Sequence, residues 1–96
     1  MIREIPTQPL QSQTLTVDLG GQPVRINIYQ KDTGLYCDIK INDVAILTGV
    51  IARESNKMVR DAYLDFVGDL AFYDLEGTDD PQFWGLGTRW VLVYVY

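Results

Sequence analysis

Apolar and polar positions alternate with a period of two along most of the chain. In TLTVDL, Leu15, Val17 and Leu19 alternate with Thr14, Thr16 and Asp18. Beyond Gly20-Gly21, the run PVRINIYQ puts Val24, Ile26 and Ile28 on one face and Arg25, Asn27 and Tyr29 on the other. Two alternating runs joined by a glycine pair predict a β-hairpin. Lys31–Gly34 turns the chain into LYCDIKI, where Leu35, Cys37, Ile39 and Ile41 share one face. Asn42-Asp43 makes the next tight turn, into VAILTGVIA. That run is apolar on both faces and is expected to be well covered, with Gly49 marking a bulge or a close approach.

The second half is less regular. Residues Arg53–Lys57 read as a polar loop, and MVRDAYLDF fits neither a helical nor a strand period, so one helical turn and a bent extended piece both remain open. FVGDLAFYDL returns to strand character with Gly68 at a bulge position, a loop runs from Glu76 to Gly87, and TRWVLVYVY is the last strand. At the other end, MIREIPTQPLQSQ carries two prolines, which exclude a helix and predict an extended arm pinned by Ile2, Ile5 or Leu10. The reading is all-β: a small single-domain β-sandwich or barrel of six to seven short antiparallel strands. An extended N-terminal arm over residues 1–13 precedes one β-domain over residues 14–96. Periodicity leaves sandwich against barrel open, because the two differ in how the first and last strands pair.

Composition narrows the chemistry. Ninety-six residues, 47% hydrophobic and 22% charged, suit one ordered domain with a thin stability margin, to which partner contacts would matter. No apolar run approaches the roughly 18 residues of a membrane-crossing helix, and Met1–Gln13 lacks a signal peptide's apolar centre. Together with a single cysteine, this predicts a protein made and kept in a reducing cytosol, without a membrane. There is no histidine. The commonest general base and metal ligand is therefore missing, and a Ser-His-Asp or Cys-His site cannot be built from this chain alone. Cys37, on an apolar strand face, reads as a structural thiol. The expectation is a protein that is not an enzyme and needs no cofactor.

Charge is uneven. Residues 1–60 hold seven basic and six acidic side chains; residues 61–96 hold one basic side chain, Arg89, and seven acidic ones, within a net charge of −5. Such a field repels a phosphate backbone, so no nucleic-acid partner is expected. It serves either as a solvated surface or as an acidic face that orients the domain on a basic partner.

Asp74, Glu76, Asp79 and Asp80 form the one constellation that suggests a ligand, since clustered carboxylates can hold Ca²⁺. Their spacing lacks the EF-hand pattern. They read instead as turn formers that accept backbone N–H groups, with Asp80 extended before Pro81 and no metal assigned. A glycosidase pair at Asp79 and Asp80 has no defined separation across a substrate. GLGT, Gly85–Thr88, lacks the Lys and helix of a phosphate loop, so its glycines are assigned to positive φ before the last strand.

Aromatics gather late in the chain, and adjacent Phe83 and Trp84 in a loop are expected to dock, on the domain itself or on a partner. The candidate interface residues are Ile5, Leu10, Phe83, Trp84, Trp90, Val95 and Tyr96. A doubly apolar final strand suggests a face covered by something beyond an ordinary hairpin.

The order of these segments resembles a known family. IPT, LGGQPVRINIYQ, LYCDIKI, TGV, GDLAFYDLEGTDDP and LGTRWVLVYV follow one another as in the small baseplate plug proteins of tailed bacteriophages, mostly those with contractile tails. The likeness runs from about Ile5 to Val95 and is most specific over Gly68–Tyr94. One departure is Leu35-Tyr36 where such proteins often carry a Trp. The resemblance implies a structural component of the virion's tail baseplate, assembled in the host cytoplasm. It would act near the central hub as a plug or adaptor through β-edge and arm contacts. Its partners would be other tail proteins (hub, tube or spike), with multiple copies in a symmetric assembly. The alternative is a free-standing β-sandwich binding module for carbohydrate or protein, using Trp84, Trp90 and surface tyrosines, with Ca²⁺ at the acidic loop.

Overall fold

The computed structural model describes residues 2–19, 21–55, 57–59 and 68–95. The ambiguous stretch after Val59, and Tyr96, lie outside these residues. Seven strands are described: β1 (Ile2–Ile5), β2 (Ser12–Leu19), β3 (Gln22–Lys31), β4 (Gly34–Ile41), β5 (Val44–Ile51), β6 (Asp69–Asp74) and β7 (Trp90–Val95), with one 3₁₀ turn at Phe83–Gly85. They form two antiparallel sheets, one of four strands in the order β2-β3-β4-β5 and one of three in the order β1-β7-β6. The architecture is all-β and the layers are those of a sandwich.

The four-stranded sheet is a meander whose tight turns set its register. Leu19 pairs with Gln22 and Ile41 with Val44, and alternation carries the apolar set to one face from there. Val24, Ile26, Ile28, Leu35, Cys37, Ile39 and Ile41 are buried on that face. Ile5, Leu70, Phe72, Trp90, Leu92 and Tyr94 of the other sheet join them in one core. The opposite face of the small sheet carries a second cluster of Ala71, Val91 and Val93, packed by Tyr73 and Val95.

The doubly apolar run at the chain's end is explained by position. Strand β7 is central, with Ile5 opposite Leu92 on one side and Phe72 opposite Leu92 on the other. It is no edge, and both of its faces are buried. The first residues are likewise part of a sheet over Ile2–Ile5, where Ile5 enters the core. The polar loop after β5 is laced to β6: the Ser55 and Met58 N–H groups donate to the carbonyls of Phe72 (2.8 Å) and Leu70 (2.9 Å).

Gly49 does sit at an irregularity. The β4–β5 register shifts between Cys37 and Ile39, and again between Ile39 and Lys40. Gly49 takes φ 66° there. Its N–H donates to Asp38 Oδ1 at 2.7 Å, and the Tyr29 hydroxyl donates to the same oxygen at 2.9 Å. Partial burial and then this bond raise the Tyr29 pKa above its usual value. Asp38→Ala leaves the bulge N–H without its acceptor, and a loss of about 1 kcal/mol in urea unfolding is expected. An unchanged midpoint would show that solvent satisfies the bulge equally well.

Candidate functional site

The β6–β7 connection, residues 75–89, builds a surface feature held by several side-chain hydrogen bonds. Asp74 ends β6 opposite Trp90, the first residue of β7, so the loop leaves and re-enters one end of the small sheet. The Asp74 side chain is fully enclosed, 0% exposed. Its Oδ1 accepts Arg89 Nε (2.9 Å) and the Glu76 N–H (2.9 Å); its Oδ2 accepts Arg89 Nη2 (2.9 Å) and the Asp79 N–H (2.9 Å). A forked guanidinium and two backbone donors saturate the carboxylate, the arrangement that suits a buried ion pair. The bonded Arg89 guanidinium, helped by both N–H groups and opposed by burial, holds Asp74 well below the usual carboxylate range.

The rest of the loop is tied to this centre. Arg89 Nη2 also donates to Asp79 Oδ2 at 2.8 Å, and Trp90 Nε1 donates to the Asp79 carbonyl at 3.0 Å. Asp80 turns the other way, accepting the Glu54 N–H at 3.0 Å and pairing with Arg53 at 3.4 Å. The Phe83 N–H donates to Gln30 Oε1 at 3.1 Å, which pins the 3₁₀ turn to the end of β3. Gly87 has φ +87° and lies so close to the Thr7 carbonyl that a Cβ would stand 2.6 Å from it. Gly85 is close-packed for a different reason, since a Cβ there would meet the Trp90 ring at 2.4 Å.

What the frame presents is Trp84. The residue is 58% exposed, yet its ring packs edge-on against Trp90 with centroids 4.9 Å apart. Arg89 lies 4.5 Å from the Trp90 ring centroid and 6.0 Å from that of Trp84. A large aromatic held on a rigid loop loses little conformational freedom when a partner covers it.

The candidate interface residues are thus divided. Trp84 and Leu10 (51% exposed) face outward, Phe83 and Val95 are half-buried, Ile5 and Trp90 (1% exposed) lie in the chain's own core, and Tyr96 lies outside the described residues. The four acidic positions do not form one site either: Asp74 and Asp79 serve Arg89, Asp80 serves Arg53 and Glu54, and Glu76 is exposed. Among the described residues no group of three or more metal-ligating side chains is arranged to hold an ion. Cys37 is buried, and burial pushes its thiol up to about 12, so it is protonated at neutral pH. Arg89, the centre of the network, was not singled out from the sequence. The available signal was its isolation as the one basic residue among residues 61–96.

Over residues 2–96 the chain matches a family described as the cyanophage baseplate Pam3 plug gp18. The chain belongs to this baseplate plug family. A comparison with curated proteins returned no match. The family match spans both sheets and the β6–β7 loop, so the Asp74–Arg89 frame and Trp84 lie within it.

Proposed function

We propose that the chain is a structural plug of a phage tail baseplate, seated near the central hub where the tail tube ends, and that Trp84 on its loop is the principal anchor to a neighbouring baseplate protein. The family match over residues 2–96 carries this reading. The loop supports it, because the Asp74–Arg89 frame holds an exposed tryptophan in place before any partner arrives. Glu76, Asp79 and Asp80 on the same loop suit a neighbour whose apolar pocket is rimmed by basic groups. The protein acts by shape and contact, without a catalytic step, and several copies occupy symmetry-related positions in the virion.

The experiment is quantitative mass spectrometry of sedimented tail particles from cells making either the native chain or Trp84→Ala. The native chain is expected at a fixed ratio to the tube protein. The variant is expected to drop at least ten-fold in the particles while melting within a few degrees of native, because only an edge contact of about 1 kcal/mol is lost inside the domain. A native chain found free and absent from particles overturns the baseplate reading. A variant incorporated at the native ratio overturns the role of Trp84.

A further inference from the structure

Each sheet has two edges, and among the described residues these edges differ in what they leave open. The β6 edge is covered, since the Ser55 and Met58 N–H groups donate to its Phe72 and Leu70 carbonyls. The β4–β5 register shifts twice, which breaks the regular spacing of the β5 edge. β1 is only four residues long and carries Arg3 and Glu4 side by side. β2 is different. Its pairing with β3 runs unbroken over eight residues, and it holds no proline and one charged side chain, Asp18. Edge strands are commonly kept from pairing by lysines, prolines or bulges, and β2 has none of these.

The direction of its free backbone groups follows from Pro23. Asp18 lies opposite Pro23, which has no N–H, so the two form a non-hydrogen-bonded pair of the β2–β3 ladder. Alternation then turns the N–H and C=O groups of Ser12, Thr14, Thr16 and Asp18 away from β3. Two bonds agree with this phase. Arg3 Nη1 donates to the Asp18 carbonyl at 3.1 Å, and the Gln11 carbonyl, in the other phase, accepts the Gln30 N–H at 2.8 Å. Ser12, Thr14, Thr16 and Asp18 are all exposed. On the core face of the same strand Leu15 and Val17 are only partly buried.

We propose that two copies of the chain join by antiparallel pairing of their β2 edges about a two-fold axis at Leu15. Unpaired N–H and C=O groups at strand spacing are matched by another strand, and β2 is complementary to itself. The axis stands perpendicular to the sheet, so residues that meet share a face and only positions of equal parity lie opposite each other. Centred on Leu15, Thr14 of each copy faces Thr16 of the other, with the backbone groups of both turned to the seam. Threonine opposite threonine is a favourable cross-strand match. Leu15 meets Leu15, Gln13 meets Val17 and Ser12 meets Asp18, so no like charges stand opposite. The Asp18 carbonyl is already held by Arg3, and the seam rests on the Thr14–Thr16 pairs. The same parity sets β1 aside, because pairing it with itself about its middle puts Arg3 opposite Arg3 or Glu4 opposite Glu4. Joining the β2 edges covers the half-buried Leu15 and Val17 and merges the two four-stranded sheets into one. Such a contact uses one patch on both copies and closes at the dimer. The inference does not rest on the baseplate reading, and the purified chain tests it without other tail proteins.

The test is sedimentation velocity over a concentration series up to about 1 mM, in about 20 mM and about 500 mM NaCl. The native chain is expected to show a reversible monomer–dimer equilibrium with no larger species. Salt is expected to change it by less than about two-fold, because the seam is backbone bonding and uncharged side chains. Thr16→Pro removes an N–H that β3 does not use, so it is expected to melt within a few degrees of native and to dimerise at least about ten-fold more weakly. Disulfide trapping reads the register, since Cys37 is buried. In Leu15→Cys the introduced thiols face each other across a non-hydrogen-bonded pair with Cα atoms about 4.5 Å apart, and a linked dimer is expected on mild oxidation. In Val17→Cys they are roughly 13 Å apart along the strands, and no link is expected. A native chain that stays monomeric at about 1 mM overturns the proposal. So does a dimer that dissociates in high salt, and so does one that Thr16→Pro leaves intact. Equal cross-linking of the two cysteine variants, or none in either, overturns it as well, and these two decide alone if Thr16→Pro does not fold.

Discussion

Replacing Arg89 by Met is expected to lower the melting temperature at neutral pH by about 10 °C or more, and to lose most of that effect in acid. The enclosed Asp74 carboxylate keeps only two backbone donors once the guanidinium is gone, and an uncompensated buried charge is costly. The pH dependence has a definite sign. In the native chain Asp74 titrates well below the usual carboxylate range, so its contribution is complete above the unfolded value near about 4 and is lost as pH falls toward the folded one. In the variant, burial without a cation raises the Asp74 pKa, so protonation on acidification relieves the penalty. The gap between the two melting curves should therefore begin to narrow near about pH 5 and go on narrowing below about pH 3, as pH approaches the depressed folded value. Differential scanning calorimetry across that range measures the gap. A gap that stays constant with pH would mean that Arg89 stabilises by packing on Trp90 and not through Asp74.

Gly85→Ala is expected to destabilise the domain by about 3 kcal/mol, at the upper end of overpacking effects. The added methyl would stand 2.4 Å and 2.5 Å from two carbons of the Trp90 ring and 3.3 Å from Arg89 Cβ. Trp90 is among the largest fully buried side chains, so its ring has no room to retreat without moving the core. Backbone strain is not the mechanism, which separates this position from Gly87 with its φ of +87°. The urea midpoint of Gly85→Ala measures the loss. A double variant, Gly85→Ala with Trp90→Phe, should recover part of it by removing the ring that clashes. Equal stability of native and Gly85→Ala chains would mean that the loop shifts freely, and the rigid presentation of Trp84 would fall with it.

The parts of this fold that were readable in advance are those governed by neighbours in the chain. Alternation of Leu15, Val17 and Leu19, and of Val24, Ile26 and Ile28, around a two-residue turn sets both the hairpin and its core face. Gly49 was readable as an irregularity because an apolar strand seldom carries a glycine without a structural cause, and it lies at the shifted β4–β5 register. The acidic loop was legible as turn-forming but not as a network. Four carboxylates adjacent in sequence look equivalent, yet Asp74 is fully enclosed whereas Asp79 is largely solvated. That difference depends on Arg89, which is fifteen residues from Asp74 and meets it only because β6 and β7 pair.

Trp90 and Trp84 make the same point about the candidate surface. Both are tryptophans near glycines in the last quarter of the chain and both were candidate interface residues, yet one is buried and the other exposed. Strand alternation places Trp90 with Leu92 and Tyr94 on the core face, while the 3₁₀ turn carries Trp84 outward.

By itself the sequence determined the all-β class, the hairpin registers, the absence of histidine-based chemistry and the resemblance to the baseplate plug family, because these rest on composition, period and short-range turn geometry. Only the tertiary structure decided that the final strand lies at the centre of its sheet between the first and the sixth, and that Arg89 gathers Asp74 and Asp79. Those outcomes join residues far apart in the chain. Their pairing depends on loop closure and on packing energy shared among many side chains, and no local pattern records either.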